Sequence, residues 1–172
     1  MQFDPKTAQT EGAAVAADQA AILNLTYRMR DAWKAGDADA YGRIFTIDSD
    51  YVAFDGTHLR GRDANVSHHQ LLFDTVLKDS ELVFEGVPQI RMLSRDVAVM
   101  HAMGSVLMRW QNQLAAKQRS NQTYVVQRGS DGWLITAFHN TRHRPMKLPK
   151  GAMLALILFF MRLRRTAQRK SE

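Results

Sequence analysis

Proton transfer near neutral pH is the work of carboxylates and imidazoles, and three such groups stand where chemistry is plausible: Asp55, His101 and His139. Asp55 ends a short run of β-branched and aromatic residues at 50–56. A carboxylate projecting from there into an apolar cavity would have its pKa raised by desolvation, which suits a general base, with His101 or His139 as its acid partner or electrophile. The competing reading is a turn in which Asp55, followed by Gly56 and Thr57, bonds its own backbone. His139 is followed by Asn140 and Arg142. Strand alternation puts His139 with Trp133, Ile135 and Ala137, and puts Asn140 and Arg142 on the other face with Leu134 and Phe138. His139 then reads either as a ligand contact or as a hydrogen-bonded core histidine. Arg142 reads as a rim charge able to clamp a carboxylate with two donors. The pair His68 and His69 makes a poor metal site, because neighbouring helical residues diverge by about 100° and no carboxylate stands at ligand spacing. No metal is expected. With no cysteine in the chain, thiolate nucleophiles, thiolate metal sites and disulfides are excluded.

These residues need elements to hold them. Ile22, Leu25, Met29, Ala32 and Trp33 recur at helical spacing, giving a helix over 11–35 that stops at Gly36. Asp37 then caps a second helix carrying Tyr41, Ile44 and Phe45, and a first strand follows at 50–56. A third helix over 64–78 lines up Val66, His69 or Gln70, Phe73 and Leu77 on one side. Beyond it the period changes to that of strands, at 82–89, 90–95, 97–111, 121–128 and 133–142, with Pro88 among the breaks. On the third of these, 97–111, His101, Ser105 and Arg109 share one face. Met100, Ala102, Gly104, Met108 and Trp110 share the other, either as core or as the wall of a cavity. Helices followed by a run of strands predict an α+β domain with helices on one face of a curved antiparallel sheet.

Composition limits the function. The 172 residues are 45% apolar and 23% charged, which is enough for one ordered core. The net charge of +6 is unevenly placed: residues 141–172 carry nine Lys or Arg and one acid, a net +8, which leaves −2 for residues 1–140. Only the tail is basic, so a nucleic-acid face is not expected. Residues 1–12 lack an apolar leader and read as a frayed lead-in, residues 13–145 as the domain and residues 146–172 as a tail helix. A cytoplasmic protein is expected. The apolar run 151–161 is about 17 Å long as a helix, too short for the ~30 Å hydrocarbon core. It is expected to pack into its own domain or a partner subunit. The basic end through 170 adds weak attraction to an anionic membrane surface, at the inner face of the membrane.

Three segments carry a resemblance: AWKAGDADAYGRIF at 32–45, DYVAFDGTHLRGRDA at 50–64 and DGWLITAFHNTR at 131–142. Their order and spacing resemble the nuclear-transport-factor-two-like superfamily, which includes SnoaL-like, SgcJ/EcaC-type, ketosteroid isomerase and calmodulin-kinase association domains. The likeness is nearest to the SgcJ/EcaC type and covers most of 13–145. It implies a six-stranded sheet curled into a cone, three helices closing one side, an internal pocket and frequently a homodimer. In the isomerases the place of Asp55 is that of the general base. Their oxyanion-hole tyrosine falls at Met29 here, and their strand acid near Tyr124, so that chemistry is disfavoured. Fold alone does not settle function. The expected ligand is a small, largely apolar molecule held among Trp33, Phe54, Met100, Met108 and Phe138, with Asn140 and Arg142 as polar contacts. No cofactor is expected, since no glycine-rich dinucleotide fingerprint follows a strand. The alternatives are a lyase or isomerase built on Asp55, and a membrane-surface or assembly role through the tail.

Overall fold

The computed structural model describes residues 5–145, 151, 153–156 and 158–161. Helix α1 (Pro5–Ala35) begins earlier than its apolar periodicity and ends as that periodicity requires, with Gly36 at φ 64° and Asp37 accepting from the Ala40 N–H at 2.7 Å to cap α2 (Ala38–Gly42). Then follow β1 (Phe45–Val52), β2 (His58–Arg60), α3 (Arg62–Asp74), β3 (Glu81–Met92), β4 (Val97–Leu107), a single 3-10 turn at Ala116–Gln118, β5 (Ser120–Gly129) and β6 (Gly132–Arg142). The six strands form one curved sheet in the order β2-β1-β6-β5-β4-β3, with helices against one face. It is mixed rather than wholly antiparallel, because β1 runs parallel to β6.

Four local expectations need correction. Ile44 and Phe45 do not extend α2. Gly42 packs so tightly on α3 that a Cβ there would lie 2.3 Å from Val66 Cγ2, and the Ile44 carbonyl accepts the Ile135 N–H at 2.9 Å. Sheet pairing therefore draws the chain into β1, which starts at Phe45 and ends at Val52. Residues 53–57 form the turn into β2, a strand too short to show periodicity. Pro88 does not divide two strands: β3 passes through it at an irregularity between Glu85 and Gln89, and β3 is an edge strand, where a missing N–H is tolerated. Finally, β4 stops at Leu107, so Trp110 lies beyond the sheet and is exposed.

The core forms where α1 meets the sheet. Ile22, Leu25, Met29 and Trp33 bury one stripe of α1 among Tyr41, Phe45, Met100, Tyr124, Val126, Ile135 and Phe138. At one end Trp133 Nε1 donates to Asp18 Oδ1 at 3.3 Å while Arg128 pairs with Asp18 and stacks over the Trp133 ring at 4.6 Å. The hydrogen bond from Arg128 holds the Asp18 carboxyl below its ordinary pKa. Past β6, residues 153–156 and 158–161 are helical, and their large apolar side chains are 40–60% exposed. Their own domain does not cover them.

Candidate ligand cavity

One irregularity decides which side chains of β6 face inward. Val126 pairs with Ile135 but Val125 pairs with Ala137, so Thr136 is an extra residue in the ladder. The bulge reverses the alternation. Trp133 and Ile135 before it, and Phe138, Asn140 and Arg142 after it, all face the helices, while His139 points away. Without the bulge, Asn140 and Arg142 would face opposite to Trp133 and Ile135.

The inward set encloses a cavity of about 380 Å³ between α1, α2, α3 and the sheet. Trp33, Tyr41, Tyr51, His69 and Phe138 supply its aromatic lining, with Met29, Leu72, Leu77 and Leu82 between them. His69 sits at the centre of this aromatic set, with ring centroids 4.5 Å from Tyr41, 5.1 Å from Tyr51 and 5.9 Å from Trp33. It is 2% exposed, and burial lowers its pKa from 6.5 to about 4, so the ring is neutral at physiological pH. Its Nδ1 lies 2.9 Å from the Asn65 carbonyl, which can only accept, so Nδ1 carries the proton. Nε2 is then the acceptor nitrogen of the ring. Burial also pushes Tyr41 well above its ordinary pKa and Tyr51 up to about 12, so both hydroxyls stay neutral.

Polar groups line the sheet side. The Tyr124 hydroxyl donates to Gln122 Oε1 at 2.5 Å, and the Gln122 amide lies over Gly104 so closely that a Cβ there would be 2.8 Å from Nε2. Asn140 Oδ1 and Ser105 Oγ are buried and have no partner among the described residues. At the mouth Arg142 lies over the Phe54 ring at 3.9 Å and donates through Nη1 to the Gln118 carbonyl at 2.9 Å. Phe54, Asp55, Gln118 and Arg142 also border a shallow depression outside, which adds Lys117 and Arg144.

Of the residues singled out from sequence, Trp33, Phe54, Asp55, Met108, Phe138, Asn140 and Arg142 lie on this cavity. Met100 does not: it is 0% exposed within the core. His101 and His139 stand on the opposite, convex face. There they flank Thr123 in register, and His101 Nδ1 lies 3.1 Å from Thr123 Oγ1. Neither histidine can assist Asp55 inside the cone. Asp55 itself forms the turn, accepting the Thr57 N–H at 3.0 Å, and that bond lowers its pKa where desolvation would have raised it. Met29 and Tyr124 do meet, hydroxyl to sulfur at 3.9 Å, but they bring no carboxylate with them. No group of three or more metal-ligating side chains occurs among the described residues. Sequence reasoning missed Tyr41, Tyr51, Gln122 and His69 as cavity residues. The signal for His69 was its place on the α3 stripe with Val66 and Phe73.

A curled six-stranded sheet closed by three helices around such a cavity defines a nuclear-transport-factor-two-like protein with a cystatin-like fold. Residues 18–143 match the model of the calcium/calmodulin dependent protein kinase II association domain, and the chain belongs to that family. A domain of unknown function with a cystatin-like fold from Nostoc punctiforme is 32% identical, with 90% of this chain and 92% of that one covered and a TM-score of 0.68. An NTF2-like protein from Novosphingobium aromaticivorans is 17% identical over 91% of this chain and 99% of that one, with a TM-score of 0.69. An uncharacterised protein with a cystatin-like fold from Caulobacter vibrioides is 22% identical over 75% and 92%, with a TM-score of 0.62. No curated protein matches the sequence significantly.

Proposed function

We propose that this association-domain relative is a small-molecule-binding protein, homodimeric, whose cone takes one largely apolar molecule with an anionic or carbonyl end toward Arg142. The observation that carries the reading is the cavity itself. Its 380 Å³ lies within the range of small-molecule sites, and its lining is mostly aromatic and aliphatic with a few polar side chains, among them Ser105, Gln122 and Asn140. Arg142 is pre-oriented by Phe54 and Gln118, so its remaining N–H groups are set for an acceptor at little entropic cost.

The test uses two probes of similar shape, anionic 1-anilinonaphthalene-8-sulfonate and neutral N-phenyl-1-naphthylamine, titrated against the protein and its Arg142→Ala variant. Loss of one charge-assisted bond is expected to weaken the anionic probe roughly 10- to 100-fold and to leave the neutral one within about threefold. Equal affinities of both proteins for the anionic probe would remove Arg142 from the site.

A second reading, a lyase or isomerase, is favoured by one observation: the neutral His69 ring stands beside two neutral tyrosines on the cavity wall. Such an enzyme would use His69 as base and a tyrosine hydroxyl as donor, in place of Asp55 with His101 or His139.

A further inference from the structure

We infer that the C-terminal segment is a shallow anchor for an anionic phospholipid surface. Met153, Leu154, Leu156, Leu158, Phe159, Phe160 and Met161 are all exposed on helical residues. Successive residues on a helix diverge by about 100°, so this run is apolar on every side. A groove on a protein covers one side of a docked helix and leaves the other in water. The acyl region of one leaflet surrounds it. The apolar run 151–161 is about 17 Å long as a helix, too short for the ~30 Å hydrocarbon core, so it can enter only a single leaflet.

Charge selects the lipid. The apolar run is bracketed in sequence by Lys147 and Lys150 on one side and by Arg162, Arg164, Arg165, Arg169 and Lys170 on the other. Lysine and arginine flanking an inserted apolar segment draw it to anionic headgroups. Folding back over the cavity mouth is opposed, because Lys117, Arg142 and Arg144 already make that mouth basic. Eight residues lie between Arg142 at the end of β6 and Gly151, a reach of at most ~30 Å, so an anchored tail holds the mouth close to the bilayer. The anchor is independent of what the cavity binds.

The test is co-sedimentation of the full chain with vesicles of phosphatidylcholine alone or with 30% phosphatidylserine, beside the variants Phe159→Glu/Phe160→Glu and Arg164→Glu/Arg165→Glu. The full chain should bind the anionic vesicles at least roughly tenfold better than the neutral ones, and each variant should lose most of that binding. Thermal midpoint and mass in solution should stay those of the unmodified chain, since the altered side chains belong to the tail. Binding equal on both lipids, or absent from both, overturns the inference. So does a Phe159→Glu/Phe160→Glu variant that falls to half the mass, which would make the tail a subunit interface.

Discussion

Replacing Trp33 with alanine is expected to cost about 3–5 kcal/mol of folding stability, the usual penalty for removing a large aromatic from a packed core. Trp33 is 7% exposed and joins three elements: its ring meets Tyr41 of α2 and both His69 and Phe73 of α3 edge-on. Its Nε1 donates to Ser80 Oγ at 3.0 Å, which ties α1 to the entry of β3. Alanine leaves the cavity floor open and the Ser80 hydroxyl short of a donor. Phenylalanine keeps most of the ring contacts and should cost less than half as much. Urea unfolding followed by circular dichroism measures both, and a loss below about 1 kcal/mol for Trp33→Ala would show that the aromatic cluster is not the keystone of the helical layer.

Acid should weaken the fold through His69. Its pKa is about 4 in the folded chain against an ordinary 6.5. Between those values the unfolded chain binds the proton and the folded chain does not, so stability rises with pH across that window. The stabilisation is complete above pH 6.5, is lost as pH falls through 4, and changes no further once both states are protonated. A difference of about 2.5 pH units corresponds to about 3 kcal/mol. Asp18 and Asp55, whose pKa values are lowered, add their own losses at still lower pH, but these are shared with a His69→Gln variant and cancel in the comparison. Unfolding free energies at pH 7.5 and 4.5 should therefore differ by clearly more in the unmodified chain than in His69→Gln. Equal differences would place His69 in contact with water.

What the sequence discloses follows from how far each signal reaches. The stripe Ile22, Leu25, Met29, Trp33 is a local repeat over three turns, so α1 and its buried face are readable without any tertiary information. The bulge at Thr136 is a property of the β5–β6 pairing, and no residue type announces it. Alternation counted along β6 alone therefore assigned Trp133 and Phe138 to opposite faces, whereas both are buried on one. Pro88 misled for a related reason: a proline is a break in a central strand and harmless at an edge, and strand order is not written locally. The segments at 32–45, 50–64 and 131–142 carried the superfamily, and the matched association-domain family was among the relatives they suggested beside the SgcJ/EcaC type. Asp55 drew notice because a carboxylate is recognisable in sequence, while its turn hydrogen bond to Thr57 is visible only in three dimensions. Conversely His69 was set aside as half of a poor metal pair, when its contribution is a single buried ring.

If the cone holds a small molecule, native mass spectrometry of protein purified from its own host will detect it. The expected spectrum shows a species heavier than the bare chain by one compound per subunit, released on denaturation and lost or depleted in Arg142→Ala. A spectrum of bare chain alone, from protein whose tryptophan fluorescence no apolar compound perturbs, would contradict it.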